Sequence, residues 1–177
     1  MNKKVSIFLA DGFEDVEAIT PIDYLRRAGC TVTITGIGSH TVQSAHNVSI
    51  ICDTIITDED YTTLPDLIIF PGGMPGASNL AQSAPLRALT TRMFAANKLV
   101  GAICAAPAVV LGEWGLLNGY NWTCFPNMEA GYAGTHQTKP VVHDRNLYTA
   151  RAPGVAEEFA LALVGAITSP DEAKAIA

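Results

Sequence analysis

Short apolar runs recur along the chain, each long enough for one buried β-strand. They are rich in valine, isoleucine and leucine, and turn residues separate them. The pattern predicts strands at 4–10, 30–36, 66–70 and 99–103, with shorter strands in NWTCF, PVVHD and LYTAR. Residues 40–52 are predicted to form a short hairpin with Asn47 near its turn. Strands as apolar as these are typical of a sheet that is covered on both faces.

Between the strands, apolar residues recur with a helical period. Helices are predicted from Glu14 to the Gly29 that ends the first one, over 85–97, over AAPAVVLGEW, and over 154–167. Strands that alternate with helices favour a parallel sheet with helices on both faces. We therefore expect one α/β domain over 1–177, built on a doubly wound parallel sheet with a small hairpin.

Composition and charge exclude several classes of function. With 49% hydrophobic and 16% charged residues among 177, the chain has the composition of a soluble globular protein. A net charge of −6, with no basic stripe, argues against nucleic-acid binding. No apolar run is long enough for a signal-peptide core or a membrane span, so we expect a cytoplasmic protein without membrane contact.

The four cysteines, at positions 30, 52, 104 and 124, form neither a CxxC motif nor a Cys/His metal spacing. We therefore expect no metal, no other cofactor and no disulfide framework. Cys30 and Cys124 are interpreted as core residues, and Cys52 as a core or an interface residue. Cys104 is the candidate for a reactive thiol.

Polar or glycine-rich segments follow three of the predicted strands. DGFEDVE supplies carboxylates, PGGMPG supplies glycine backbone, and CAAP supplies the thiol of Cys104. In doubly wound folds, ligands bind outside the carboxyl ends of the strands, near the point where the strand order switches. The three segments are therefore expected to meet at one edge of the sheet and to form a site.

Cys104 stands where a strand stops and a helix starts, which is the geometry of a nucleophile elbow. Backbone N–H groups from Ala105 onward, together with the helix dipole, predict a thiol pKa lowered from ~8.5 to roughly 4–7. Gly72 and Gly73 could add a backbone donor for an oxyanion. The alternative is that Cys104 is a small buried hydrophobic residue that ends a core strand.

Glu14 and Glu17 are three residues apart, so both project from one face of the first helix or its lead-in. We predict that Glu17, which lies deeper in the helix, stays protonated in a partly buried site and donates a hydrogen bond to the sulfur of Cys104. The alternative is that both acids only complement the helix dipole.

Four segments together resemble the DJ-1/PfpI (ThiJ) superfamily, and its DJ-1-like bacterial branch in particular: ADGFEDVEAITPIDYLRRAG, LIIFPGGMPGASNL, VGAICAAPAVVL and YTARAPGVAEEFALALV. They occur in the family's order and extend from the first strand to near Ile167. The resemblance implies a flavodoxin-like sandwich of the class I glutamine amidotransferase type, and it implies a homodimer.

The resemblance also implies roles for single residues. Cys104 matches the reactive elbow cysteine, which oxidises readily to a sulfinic acid, and Glu17 matches the protonated glutamate beside it. Glu14 matches the acid that begins the same helix. The backbone around the oxyanion pocket is matched by Gly72, Gly73 and Ala105. Positions near the dimer interface are matched by Arg26, Arg27 and Cys52.

The chain departs from its relatives at two positions. Ala105 stands where protease-like members have a histidine, so peptidase activity is not expected. Phe125 stands where some DJ-1-like members have a histidine just before the proline, which removes a candidate general base. The chain's own histidines lie in loop-like segments and are expected at the surface, although His46 or His136 could fold back toward Cys104.

Two classes of function use these residues. In the first, the Cys104 thiolate adds to a reactive carbonyl, either methylglyoxal or its early glycation adducts on amines, as in a glyoxalase or deglycase. In the alternative, the same cysteine serves a peroxide-responsive redox sensor in oxidative stress, or a stress-protective, chaperone-like dimer. We favour the enzyme, because an oxyanion pocket suits a carbonyl substrate and the glutamates could move protons.

Overall fold

In a computed structural model that describes residues 3–57 and 61–177, helices flank a seven-stranded sheet. Positions 1–2 and 58–60 of the expected domain lie outside the described residues. The strands are β1 (Lys4–Leu9), β2 (Thr31–Gly36), β3 (Thr41–Gln43), β4 (Ser49–Ile51), β5 (Thr54–Ile55), β6 (Leu67–Phe70), β7 (Leu99–Ile103), β8 (Asn121–Trp122), β9 (Thr135–His136), β10 (Val141–Asp144) and β11 (Leu147–Ala150). The α-helices are α1 (Asp15–Arg27), α2 (Gly76–Ala81), α3 (Ala84–Ala95), α4 (Ala156–Ile167) and α5 (Pro170–Ile176). A π-helix (Pro107–Gly112) and a 3₁₀ turn (Pro153–Val155) complete the described elements.

The main sheet has the order β10-β11-β7-β6-β1-β2-β5. All neighbouring strands in it are parallel except β10, which closes one edge antiparallel to β11. The chain leaves β1 toward β2 and then returns to β6 on the other side of β1. The strand order therefore switches between β1 and β6, as in a doubly wound, flavodoxin-like fold, which confirms the predicted fold class.

The central strands are buried because both faces of the sheet are covered. All four residues of β6 are 0% exposed, and in β1 every residue after Lys4 is buried. The rings of Phe8 and Phe70 stack with centroids 5.8 Å apart, and Trp114 meets Phe70 edge-on at 6.2 Å. These contacts explain why the strand sequences show continuous apolar runs instead of alternation.

Helix α4 packs on the sheet where β7 has a glycine in place of a side chain. A Cβ atom built on Gly101 would lie 3.0 Å from Cζ of Phe159 and 3.2 Å from a methyl carbon of Leu163. The helix predicted over 154–167 is thus confirmed, with its first residues in the 3₁₀ turn. Within the described ranges, none of the helices has the length and apolar character that crossing a membrane requires.

The hairpin predicted at 40–52 is confirmed as the antiparallel pair of β3 and β4, and Asn47 adopts a positive φ of 66° in its turn. The strand predicted in NWTCF is shorter and pairs with β9, which the apolar pattern does not reveal. The pattern also misses β5, α2 and α5, since each is too short to show a period.

The helix after Cys104 differs from the expected α-helix. Its backbone hydrogen bonds include two of i→i+5 type: the Glu113 N–H donates to the Ala108 carbonyl at 3.3 Å, and the Leu116 N–H donates to the Leu111 carbonyl at 3.0 Å. Such π-helical turns are uncommon and are frequent at functional sites. The expectation of a regular helix was wrong in type, although the segment is helical.

We expect Leu163→Ala to lower the free energy of unfolding by about 2–5 kcal/mol, because Leu163 is 0% exposed and fills the space above Gly101. Leu161→Ala makes the same chemical change on the same helix at a half-buried position and should cost markedly less. Urea unfolding of both variants measures the difference. Equal losses would contradict the described packing of α4.

Candidate active site

Cys104 stands in a sharp turn between β7 and the π-helix. Its φ of +63° lies in the left-handed region, which costs a non-glycine residue about 1–2 kcal/mol. Two backbone hydrogen bonds hold the turn. The Cys104 N–H donates to the Ala150 carbonyl at 2.9 Å, and the Phe125 N–H donates to the Cys104 carbonyl at 2.8 Å. The residue is 9% exposed and forms the strand-to-helix elbow expected from the sequence.

The loops after β1, β6 and β7 meet beside this elbow, as expected for three neighbouring strands. A Cβ atom built on Gly72 would lie 2.8 Å from Cβ of Cys104 and 2.8 Å from Oε2 of Glu17. Gly73 has a φ of +85°, and a Cβ there would lie 2.5 Å from the backbone nitrogen of Glu14. Both positions require glycine: a side chain at Gly72 would push the acid and the thiol apart, and one at Gly73 would collide with the backbone of the loop after β1.

Glu17 lies in the first turn of α1 and is 0% exposed. The Gly72 N–H donates to its Oε2 at 2.8 Å, whereas its buried Oε1 has no hydrogen-bond partner among the described residues. Burial raises the pKa of Glu17 to about 7, against the opposing effects of Cys104 and Gly72, and the charge of Glu14 adds to the increase. The carboxyl is therefore between its neutral and charged forms at neutral pH. The sequence predicts that the Gly72 N–H serves the oxyanion pocket, but in the structure it donates to Glu17.

Cys104 does not have the lowered pKa that the sequence predicts. Burial raises the pKa of its thiol to about 12, and the negative charge and hydrogen bonding of Glu17 raise it too. The N–H groups of Ala105 and Gly73 act in the opposite direction but are outweighed. The prediction was wrong because the motif CAAP does not show how deeply the sulfur is buried. In addition, the six-residue π-helix has a smaller dipole than the expected helix, and so it lowers the pKa of the thiol less.

The thiol and the carboxyl titrate as one pair. The pair loses its first proton near pH 7, where Glu17 titrates, and its second near 12. Between these values the two groups share one proton. If the proton is on Glu17, the thiolate faces the N–H groups of Ala105 and Gly73; if it is on sulfur, the carboxylate is held by the Gly72 N–H. A thiolate can therefore form without the proton leaving the site.

Glu14 is the N-cap residue of α1, and its N–H donates to the Gly72 carbonyl at 3.0 Å. Its Oε1 lies 3.6 Å from Nδ1 of His46, and the same nitrogen lies 3.0 Å from Oδ2 of Asp15. The hydrogen bond with Asp15 raises the pKa of His46, and so does the charge of Glu14. His46 thus lies on the acidic side of the site. The sequence does not show this approach of His46 to Glu14, because it depends on the turn at Asn47.

Two other positions considered in the sequence have different surroundings from Glu17. The ring of His136 meets Trp122 edge-to-face, with centroids 5.3 Å apart, on the paired strands β8 and β9. Phe125, which replaces a histidine of some relatives, is 43% exposed. The contacts of His136 are thus with Trp122, whereas Glu17 is the side chain whose charge and hydrogen bonding act on the sulfur of Cys104.

The residues expected near an interface have contacts within the chain. Nε of Arg27 donates to Asp23 at 2.7 Å along α1, and Arg26 donates to the Val32 carbonyl at 3.1 Å. Cys52 is buried, and burial raises the pKa of its thiol to about 11. These positions are compatible with the expected role, which stays a prediction.

The sequence pattern that describes the DJ-1/PfpI family matches residues 3–166. Protein dj-1beta of Drosophila melanogaster is 33% identical over 181 residues, which cover 100% of this chain and 96% of the relative. Protein DJ-1 homolog B of Arabidopsis thaliana is 36% identical over 97% of this chain. The chain spans only about two fifths of that relative, at 40% of its length, and 44% of the Arabidopsis DJ-1 homolog A.

Solved structures agree with these sequence matches. Oxidized DJ-1 of Toxoplasma gondii has a TM-score of 0.94 and 35% identity, over 98% of this chain and 95% of that one. A DJ-1 superfamily protein of Salmonella typhimurium, solved as a cysteine-to-alanine mutant, has a TM-score of 0.93 and 34% identity with the same coverage. The similarity therefore extends over almost the entire fold.

Glu17→Gln should change how stability depends on pH. The pKa of Glu17 is raised from 4.5 to about 7 in the folded state, so its contribution to stability is full below 4.5 and is lost as the pH rises through about 7. Relative to Glu17→Gln, the wild type should lose about 3 kcal/mol of unfolding free energy over that window. Urea unfolding at several pH values measures this loss, and Glu158→Gln, an exposed acid on α4, controls for the removed charge. A pH-independent difference would contradict the account.

Alkylation of Cys104 by iodoacetamide should accelerate as the pH rises through about 7, since the pair loses its first proton there. In Glu17→Gln that inflection should disappear, because the thiol no longer has a carboxylate to take its proton. Mass spectrometry of the Cys104 peptide follows the reaction, with the buried Cys30 as an internal reference. An unchanged inflection in the variant would show that Glu17 does not control the thiol.

Proposed function

The chain belongs to the DJ-1/PfpI family, and on that premise we propose that it is a cysteine-dependent enzyme that acts on reactive carbonyl compounds. The substrate is methylglyoxal or its early adducts on amines, and the product is a 2-hydroxy acid. One observation carries the proposal. A fully buried carboxyl, that of Glu17, is coupled by its charge and by hydrogen bonding to a thiol held at a strand-to-helix elbow.

In the first step, the sulfur of Cys104 bonds to the aldehyde carbon of methylglyoxal, and the thiol proton passes to the Glu17 carboxylate. The aldehyde oxygen gains the electron pair of its π bond and then takes that proton from Glu17, which completes a hemithioacetal and restores the carboxylate. The N–H groups of Gly73 and Ala105, which already face the sulfur, stabilise that oxygen as its negative charge develops.

In the second step, Glu17 removes the proton from the former aldehyde carbon and returns it to the neighbouring ketone carbon, while the hydroxyl proton of the first carbon passes to the ketone oxygen. The first carbon is thereby oxidised to a thioester and the second is reduced to an alcohol, so no external oxidant is needed. Water then hydrolyses the thioester, releases lactate and restores the thiol. A carboxyl with a pKa of about 7 can give and accept protons equally well near neutral pH.

Glu14 supports this chemistry indirectly. Its charge raises the pKa of Glu17, and the imidazole of His46 contacts both Glu14 and Asp15. These contacts connect the buried carboxyl to a half-buried acid and an exposed imidazole. We assign Glu14 and His46 to proton exchange with solvent and to the position of α1, and not to contact with the substrate.

The name of one relative supports a glyoxalase-type activity. A Caenorhabditis elegans protein named glutathione-independent glyoxalase DJR-1.2 is 32% identical over 165 residues, which cover 92% of this chain and 87% of the relative. For the present chain, the deglycase variant of the activity would differ in its first step. The sulfur of Cys104 would displace the amine from the hemiaminal carbon of the adduct, the amine would leave with a proton from Glu17, and the same hemithioacetal would result.

The second candidate is a peroxide-responsive redox sensor built on the same thiol. It is favoured by the N–H groups of Ala105 and Gly73, which could hold the oxygens of a sulfinic acid. The similarity to a structure described as oxidized DJ-1 points the same way. In this function peroxide supplies the oxygen atoms, and Cys104 is consumed instead of being restored.

We also propose that the protein works as a homodimer in the cytoplasm. Large apolar side chains remain exposed at the surface: Val16 and Ile19 on α1 are 49% and 42% exposed, and Ile51 on β4 is 80% exposed. Exposed apolar groups of this size are typical of interfaces. The chaperone-like alternative would use the same surface for unfolded chains.

Purified protein should convert methylglyoxal to lactate. Cys104→Ser should abolish turnover, and Glu17→Gln should lower kcat by about 100-fold or more, because both the nucleophile's proton acceptor and the proton shuttle are lost. Cys30→Ser, at another buried cysteine, should keep full activity. Absence of lactate formation, with peroxide adding two oxygens at Cys104 alone, would overturn the enzyme and favour the redox sensor.

A further inference from the structure

Three side chains outside the elbow bring metal-ligating atoms together. The Sγ of Cys124, a carboxylate oxygen of Glu129 and a ring nitrogen of His136 all lie within 4.8 Å of one another. Cys124 is 1% exposed, and the other two are half-buried. The linear spacing of cysteine and histidine residues predicted no metal site, because the three residues become neighbours only through the fold.

The backbone around these residues is well defined. His136 on β9 pairs with Trp122 on β8, and its ring meets the indole of Trp122 edge-to-face. Cys124 follows β8 by two residues, and the next N–H, that of Phe125, donates to the Cys104 carbonyl. A thiol and an imidazole are thus presented from two fixed segments, which is the preorganisation that a metal site needs.

Glu129 provides an independent indication of a ligand. Its Oε2 is buried and has no hydrogen-bond partner among the described residues. A buried carboxylate oxygen without a donor is costly, and a bound cation removes that cost. Beside it lies a cavity of about 250 Å³ whose walls include Cys124, Glu129, His136 and Arg151. The unpartnered oxygen therefore has room for a ligand next to it.

A second cluster with metal-ligating atoms is less suited to a metal. In it, Nδ1 of His46 is already engaged by Asp15 at 3.0 Å and lies 3.6 Å from Glu14. The imidazole is exposed, and the cluster contains no sulfur ligand. The histidine and the acids already contact one another there.

We propose that Cys124, Glu129 and His136 form a binding site for a zinc-type divalent metal ion. Sulfur, imidazole nitrogen and carboxylate oxygen are the three ligand types that Zn²⁺ takes in proteins. On binding, the thiol, which donates to the Phe125 carbonyl at 3.3 Å, releases its proton to solvent and the sulfur bonds to the metal. Three protein ligands leave the fourth tetrahedral position open to the cavity.

The charges at the site suit an exchangeable fourth ligand. A thiolate and a carboxylate neutralise a divalent ion, so the filled site carries no net charge. Arg151, which also lines the cavity, then adds a positively charged residue to its wall. Water or a small anion such as a carboxylate is the ligand that this arrangement favours.

Cobalt(II) tests the site directly, because a cobalt–thiolate bond has its own near-ultraviolet absorption. Titration of metal-free protein should give one Co²⁺ per chain with that absorption and tetrahedral visible bands, and excess Zn²⁺ should remove both. The titration is repeated in Cys104→Ser, in which the elbow thiol is absent, and the spectrum should be unchanged.

Variants of the ligands decide the assignment. Cys124→Ser should lose the thiolate band, and His136→Gln and Glu129→Gln should weaken Co²⁺ binding by at least about tenfold. His143→Gln, at an exposed histidine that stacks on Tyr148, is the matched control and should bind normally. Circular dichroism shows whether each variant is folded. Because Glu129 is only half-buried, Glu129→Gln still tests the site if Cys124→Ser fails to fold. Loss of the thiolate band in Cys104→Ser but not in Cys124→Ser would overturn the proposal, as would the absence of any thiolate band.

Discussion

A carboxyl group with no access to water must be neutral or compensated, and the elbow is organised around this constraint at Glu17. One oxygen of Glu17 accepts a hydrogen bond from the Gly72 N–H. The carboxyl also acts on the thiol of Cys104, whose pKa is raised. Gly72 must lack a side chain for this approach, and Cys104 must adopt a strained positive φ. Backbone contacts with Ala150 and Phe125 offset that strain. The resulting pair holds one mobile proton near neutral pH, which is the property that addition to a carbonyl requires.

Most of the fold follows from local sequence pattern, because the buried strands are continuous apolar runs and the long helices carry a stripe. The four strands predicted at 4–10, 30–36, 66–70 and 99–103 are the parallel centre of the sheet. Elements too short for a period were not predicted: two-residue strands such as β5 and β9 exist only through their partners. The π-helical form of Pro107–Gly112 likewise has no signal in the sequence.

The sequence predicts which residues meet at the site, but not how their surroundings change their pKa values. Parallel strands bring their carboxyl ends to one edge, so Glu17, the glycine loop and Cys104 had to meet. The pKa of the thiol was predicted in the wrong direction, since burial depends on residues far along the chain. The positions of His46 beside Glu14, and of His136 beside Cys124, depend on turns that carry no distance information. Such convergence becomes visible only in three dimensions.

The central claim is that Glu17 carries a proton that it exchanges with Cys104 near neutral pH, and infrared spectroscopy tests this claim most directly. A protonated carboxyl has a carbonyl stretch that is distinct from that of a carboxylate. The account predicts such a band in the wild type at mildly acidic pH, lost with a midpoint near 7 and absent from Glu17→Gln. If the wild type and Glu17→Gln gave the same carbonyl spectrum across this pH range, Glu17 would be ionised throughout, and the shared proton would not exist.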